Sequence, residues 1–381
     1  MKILFCGDIM PGGVLHYQDT FMSREIEEYL EQFELRVGTF ECSIGSNIPF
    51  DKKKMDRPDG KNIVYALDGD IDKIQQLRID VVTLANNHIY DQGEDGLKNT
   101  IKELDKLEIK HCGAGMTLEE AKKPAVVEIE GKSLAFIGCT FVNTYPTVVE
   151  AATANTAGIY QTTINELIET IRKCKLKYDY LFVLPHWGCE FEYFPLSYNN
   201  HWSQKLIDNG VDGIIGSHPH QIQPHYRYKA KPVYFSLGNF LFPDICMQVP
   251  RPMFYPKSRE EFDNLKKVWA YPNNLKEPVL AIWPGRSRIG MVAEIEIKKD
   301  GIIKDHSRLT CMSANNVLGL YTCFNSYVKT LRLYIISRLV QSKHYDFYYR
   351  LYYTQKNIIR RFVHKASDWL HINYDVRVSL D

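Results

Sequence analysis

The run Lys2-Ile3-Leu4-Phe5-Cys6-Gly7-Asp8-Ile9-Met10 decides the architecture. From Lys2 to Cys6 the chain is a short apolar run that stops at Gly7, which is how a parallel strand buried on both faces reads. Asp8 then stands where the strand ends, the place at which layered α/β proteins carry their chemistry. Downstream, Ser23–Phe33 sets Ile26, Leu30 and Phe33 among glutamates, a helical stripe with Ser23 as its N-cap. Leu35–Phe40 reads as the next strand, Asp70–Leu77 as a short helix, Asp80–Ala85 as a strand and Gly93–Leu107 as a longer helix. The polar, Lys- and Gly-rich stretch Ser46–Gly60 between them reads as an exposed loop.

The rhythm then changes. Ala125–Ile129 and Leu134–Gly138 flank Glu130-Gly131, the signature of two antiparallel strands on a tight turn. Ile164–Lys175 and Trp202–Asn209 are expected helices; Tyr180–Leu184, Gly213–Ile215 and Val233–Leu237 are expected strands. Between Pro243 and Arg288 the chain is rich in proline and aromatic residues, and two readings stand: a long loop or lid, or a substrate-contacting insertion. Ile289–Ile297 and the stretch from Ile302 form another hairpin. From Ser326 to Asp381 the sequence is dense in Tyr, Arg and Lys, with Leu331, Tyr334, Ile335 and Leu339 at helical spacing. That tail is either a helical extension packed on the core or a basic amphipathic surface for a membrane or an anionic polymer. The expected organisation is residues 1–310 as one domain, with the insertion at about 246–286, and 311–381 as a helical basic-aromatic extension.

Composition narrows the function. A chain of 381 residues with 45% hydrophobic and 24% charged residues is neither disordered, collagenous nor a disulfide miniprotein. Lys+Arg of 47 against Asp+Glu of 46 gives +1, so there is no chain-wide pull toward nucleic acid or anionic membrane. The N-terminal apolar run is shorter than a secretory signal requires, and no stretch reaches the ~18 apolar residues of a membrane span. The 9 cysteines are scattered without a CxxC pair and read as reduced thiols filling core volume. The expected location is cytoplasmic, with a peripheral position at the inner face of the membrane as an alternative.

Five segments carry chemistry, each at an expected strand end: Gly7-Asp8-Ile9-Met10, Phe40-Glu41-Cys42, Asn86 to Asp91, His186 to Glu190, and Gly216-Ser217-His218-Pro219-His220. Alone, each reads equally as a cap, a turn or a structural histidine. Together they supply imidazole nitrogen, carboxylate oxygen and amide oxygen, a donor set that suits Zn²⁺, Fe²⁺ or Mn²⁺. Cysteine is absent from the set, which disfavours a structural zinc site. In Ser217-His218-Pro219-His220 an extended backbone would send the two rings apart, whereas a loop turns both toward one centre, and Gly216 lets the backbone come close.

The order Asp8, Glu41, Asn87-His88, His186, His218-x-His220 resembles the calcineurin-like metallophosphoesterase pattern. The wording around it is closer to the capsule-synthesis CapA family, which includes proteins of poly-γ-glutamate synthesis. The segments that carry this include Leu84 to Gly93 and Ser236-Leu237-Gly238-Asn239-Phe240, and the resemblance covers roughly residues 1–245 plus the hairpin near 289–308. It implies an α/β, four-layer sandwich of two mixed β-sheets flanked by helices, with one or two divalent ions (Mn, Fe or Zn) at the strand ends. By the same carry-over Asp8 and His220 hold one ion, Asn87, His186 and His218 hold the other, and Glu41 bridges. His88 is placed near the leaving group, Asp91 fixes its ring, and Glu190 orients His186 or reaches substrate. The sequence departs from the wider superfamily at Met10, which stands where a histidine ligand is expected; His16 is the candidate replacement. The implied function is a metal-dependent hydrolase or transferase in capsular or poly-γ-glutamate-type polymer synthesis, acting on an anionic or phosphorylated polymer or its precursor. The alternative is a non-catalytic, metal-stabilised scaffold working with other polymer-synthesis proteins. A nucleic-acid phosphodiesterase is disfavoured by the balanced charge.

Overall fold

The N-terminal apolar run forms the strand Lys2–Ile9, which lies inside an eight-stranded sheet and is buried from Ile3 onward. The structure, a computed structural model, describes residues 1–50, 62–144, 149–248, 252–269, 277–301 and 303–369. Lys2–Ile9 pairs in parallel with Leu35–Phe40 and Asn239–Leu241, and antiparallel with Ile289–Ile297. Val81–Thr83 and Lys110–Cys112 continue the sheet on one side, Ile303–Met312 and Leu318–Leu320 on the other. Side chains alternate across the strand, so Ile3 and Phe5 enter one core while Leu4 and Cys6 enter another.

A second, seven-stranded sheet has Lys132–Phe141, Tyr180–Pro185, Gly213–Ile215 and Lys231–Tyr234 running parallel. The hairpin partners Ala125–Ile129 and His225–Tyr228 are antiparallel to it. Phe5 of the first sheet meets Phe182 of the second at 5.2 Å, and Phe182 stacks on Phe136 at 5.7 Å. Outside the first sheet, Ile26, Ile74, Leu97 and Leu104 anchor the helices Arg24–Leu30, Asp72–Gln76 and Gly93–Lys106. Outside the second, Leu167, Ile171 and Leu206 anchor Ile164–Lys175 and Ser197–Asp208, and Ile336 and Val340 anchor Phe324–Val340. The layers are therefore helix, sheet, sheet, helix, as the resemblance implies, with a helical C-terminal segment.

Some elements differ from expectation for identifiable reasons. The helix Ser197–Asp208 begins before Trp202 because its buried face opens with Asn199, Asn200 and Ser203. Asn200 accepts from the Tyr226 hydroxyl and donates to the Val340 carbonyl, and Ser203 donates to the Asn200 carbonyl, so these two are satisfied in place although they hide the apolar period. The expected strand Val233–Leu237 is instead Lys231–Tyr234, the return of a hairpin from His225–Tyr228. Its turn residues Lys229 and Ala230 both have positive φ, 47° and 61°, a geometry usually signalled by Asn or Gly.

The long-loop reading of the Pro- and aromatic-rich segment is corrected. Ile245–Met247, Lys266–Trp269 and Val279–Ile282 form a three-stranded sheet, with a short helix at Arg259–Asp263. Buried Asp244 fixes its root, since both carboxylate oxygens accept from Arg288 Nη2 at 2.6 Å and one also accepts from the Trp283 amide. Parts of this insertion (249–251 and 270–276), the loop from 51 to 60 and the tail from 370 lie outside the described residues. None of the described helices is long and apolar enough to cross a membrane.

Candidate metal centre

The sandwich brings the carboxyl ends of both sheets to one rim. Asp8 closes the strand Lys2–Ile9, Glu41 follows Leu35–Phe40, and Asn87 and His88 follow Val81–Thr83. His186 follows Tyr180–Pro185, and His218 and His220 follow Gly213–Ile215. All of these are buried. Two glycines permit the approach. A Cβ on Gly7 would sit 1.9 Å from the Gly238 carbonyl oxygen, and one on Gly216 would sit 2.1 Å from that of Phe235. His218 and His220 adopt φ of 98° and 49°, sparsely populated for side-chain-bearing residues and costing of order 1–3 kcal/mol each. That turn puts the His218 ring 4.7 Å from His186 and 6.3 Å from His220.

Two donor groups result. Asp8, Glu41 and His220 offer ligand atoms within 4.8 Å of one another, and so do Glu41, His186 and His218. Glu41 Oε1 belongs to both, 3.5 Å from His186 Nε2 and 3.5 Å from His220 Nε2. Asn87 Oδ1 converges on the same side, 2.9 Å from His186 Nε2. Among the described residues, all four carboxylate oxygens of Asp8 and Glu41 are buried with no hydrogen-bond partner. Orphaned carboxylates facing imidazole nitrogens are costly unless something cationic is held between them, so the donor set fits divalent ions.

The electrostatics agree with that reading of the pocket. Burial, reinforced by the nearby Glu41 charge, lifts the Asp8 carboxyl well above the usual range. Burial also pushes Glu41 upward, but His220, His186 and His88 together hold it below its ordinary value. Burial keeps His186 neutral to lower pH than a free imidazole, which is its ligand form. The rings of His186, His220 and His88 are oriented from behind. His186 Nδ1 lies 2.9 Å from Ser217 Oγ, and His220 Nδ1 lies 2.8 Å from Asn239 Oδ1. His88 Nδ1 lies 2.7 Å from Asp91 Oδ2, which also accepts from the Val64 amide.

Glu190 is half-buried on the loop after His186 and belongs to neither donor group. Met10 is buried in the outer core, its sulfur accepting from the Gly12 amide. His16, the candidate replacement, belongs to neither donor group; its Nδ1 lies 3.0 Å from Asp70. Reading the residues gave no role to Asn239 or Ser217, although both lie in the motifs quoted. It also missed Trp283, whose ring lies 5.0 Å from His220 beside Phe242 and Phe191. No local signal marks Trp283, which comes from the insertion.

The profile of the family described as bacterial capsule synthesis protein PGA_cap matches residues 2–244. The chain belongs to the PGA_cap family. The match spans every strand that ends at the donor groups and stops before most of the insertion and the C-terminal helices. Among PGA_cap relatives, the capsule biosynthesis protein CapA of Bacillus anthracis is 29% identical over 251 residues, 64% of this chain and 60% of its own. The PGA biosynthesis protein CapA of Bacillus subtilis (strain 168) is 32% identical over 170 residues, 44% of each. The chain thus spans roughly half the length of the curated relatives it matches. Among solved structures, a 5'-nucleotidase from Candida albicans aligns with 89% of this chain and 58% of its own at a TM-score of 0.39 and 9% identity.

Proposed function

We propose that this PGA_cap protein is a metal-dependent hydrolase or transferase in the synthesis of a capsular or poly-γ-glutamate-type surface polymer. The observation that carries the reading is the pair of buried donor groups that share Glu41. Asp8 and His220 would hold one divalent ion, Asn87, His186 and His218 a second, with Glu41 between them; Mn, Fe and Zn all suit these ligands. Such a pair supplies an activated water and positive charge at a reacting phosphoryl or acyl oxygen. Asp91 holds the His88 ring in one orientation through Nδ1, and Nε2 of that ring delivers a proton to the leaving group. Glu190, on the loop after His186, meets the substrate, an anionic or phosphorylated polymer or its precursor. The location is the cytoplasm, which thiols that are mostly buried and unpaired support, with a peripheral position at the inner face of the membrane as the alternative.

Met10 favours a second reading. With a thioether packed in the core where a nitrogen ligand is expected, the Asp8 group has one donor fewer, as suits a scaffold that binds metal without turning over. Metal analysis of the purified chain with a chromogenic phosphodiester assay separates the two. Stoichiometric metal with turnover that His88→Ala lowers about 10²–10⁴-fold is the enzyme's result. Stoichiometric metal with no turnover on phosphomonoesters, phosphodiesters or peptide-like substrates is the scaffold's.

A further inference from the structure

The helix Phe324–Val340 is apolar on two opposite sides. One row is buried: Ile336 and Val340 in the core outside the second sheet and Leu333 in the core between the sheets, while Ser337 donates to the His225 carbonyl. The other row falls at the i, i+3, i+4, i+7 spacing of a single face: Phe324, Tyr327, Val328, Leu331, Tyr334 and Ile335. This row faces solvent, with Phe324 79%, Tyr327 74% and Leu331 59% exposed. The next helix repeats the arrangement. Its buried or half-buried row begins at Tyr345 and continues through Tyr349 and Tyr352, while Phe347, Leu351 and Ile358 on the other side stay exposed. Large apolar side chains exposed in a row along each of two consecutive helices mark an interaction site.

Charge selects the partner. Residues 324–358 carry Lys329, Arg332, Arg338, Lys343, Arg350 and Lys356 against one acid, Asp346, in a chain whose total is only +1; Lys356 is paired with Glu192 and Arg332 rests on the Tyr193 ring, which leaves Lys329, Arg338, Lys343 and Arg350. Arg338 sits at the end of the exposed row itself. Large aliphatic and aromatic side chains flanked by cations form the pattern of a helix lying in a bilayer interface, apolar face in the acyl boundary and cations at headgroup phosphates. A soluble polyanion would satisfy the cations but leave Phe324, Leu331 and Ile335 in water. We infer that the outer face of Phe324–Val340, continued by residues 345–358 of the next helix, docks this protein on an anionic phospholipid surface. The inference gives a surface to the inner-membrane location proposed above and rests on it, while the metal chemistry stands apart from it. The helix also packs against the loop that follows His186, with the Arg332 guanidinium 3.3 Å above the Tyr193 ring.

The test is co-sedimentation of the full chain with vesicles of phosphatidylcholine, with and without phosphatidylserine. Binding to the anionic vesicles alone, weakened by salt, is expected. Leu331→Glu with Ile335→Glu should abolish it, and Arg338→Glu with Lys343→Glu should weaken it about tenfold. Both double variants should keep the wild-type metal content and thermal transition, since these side chains are exposed. Binding indifferent to both double variants, or no binding to either vesicle, overturns the inference. So does a concentration-dependent dimer that Leu331→Glu with Ile335→Glu dissolves, which assigns the face to a second copy. Binding to soluble poly-glutamate in place of vesicles overturns it too. If vesicles bind but no metal-dependent turnover is found, the failure belongs to the earlier reading.

Discussion

His220 Nδ1 lies 2.8 Å from Asn239 Oδ1, while Nε2 of the same ring faces Glu41. Asn239 is itself fixed, donating from Nδ2 to the Ser287 carbonyl at 3.0 Å, so the insertion's root reaches the imidazole through one amide. The ring is thereby held with Nε2 turned into the pocket. Asn239→Ala should lower divalent-metal affinity about 10–100-fold, as loss of a ligand's orienting partner does elsewhere. Calorimetric titration with Mn²⁺ checks it, and an unchanged affinity would separate Asn239 from the centre.

Buried Asp244 ties the insertion to the hairpin that begins at Ile289. It accepts from Arg288, the Trp283 amide and Asn316 Nδ2. Arg288→Met leaves that carboxylate without its cation and should cost about 3–5 kcal/mol in urea unfolding. Hydrogen exchange should rise in Val279–Ile282, the strand that leads into Trp283.

Phe182 stands between Phe5 and Phe136 where the two sheets meet. Phe182→Ala opens a cavity that neither sheet can close alone, and should cost about 3–5 kcal/mol. The denaturation midpoint reports it; a loss under 1 kcal/mol, roughly the smallest of core substitutions, would mean that the layers slide to refill the space.

His225 supplies a pH signature away from the donor groups. Its ring stacks on Tyr234 at 4.5 Å, and Nδ1 is buried without a hydrogen-bond partner among the described residues. Burial holds its pKa below the ordinary imidazole value, only partly opposed by Asp305. A depressed folded-state pKa means that the unfolded chain takes up the proton first. The ring's contribution is therefore complete above about pH 6.5 and is lost as pH falls through the depressed value. Between pH 8 and pH 5 the wild type should lose more thermal stability than His225→Phe. Parallel melting curves for the two proteins would exclude this.

Much of this architecture is legible in the chain. The run Lys2–Cys6 could be read because a strand buried on both faces has no polar face to mask it, and Ser23 because its hydroxyl accepts from the Ile26 amide. The donor segments could be read because each stands at the end of an apolar strand or within a few residues of it. What stayed hidden depends on distant partners. Asn200 looks like a surface residue until Tyr226 and Val340 satisfy it, and Trp283 reaches His220 only across the fold. The turn at Lys229-Ala230 was invisible because its residues take left-handed backbone without the usual glycine.

Gly7 has no functional group and touches no donor atom, yet the chain passes so near Gly238 beneath it that even one methyl has nowhere to go. The neighbouring carboxylate of Asp8 is aimed by that crossing of two main chains. A saturation screen should accordingly find Gly7 as intolerant as any donor, and tolerance profiles of this protein will report backbone clearance as readily as chemistry.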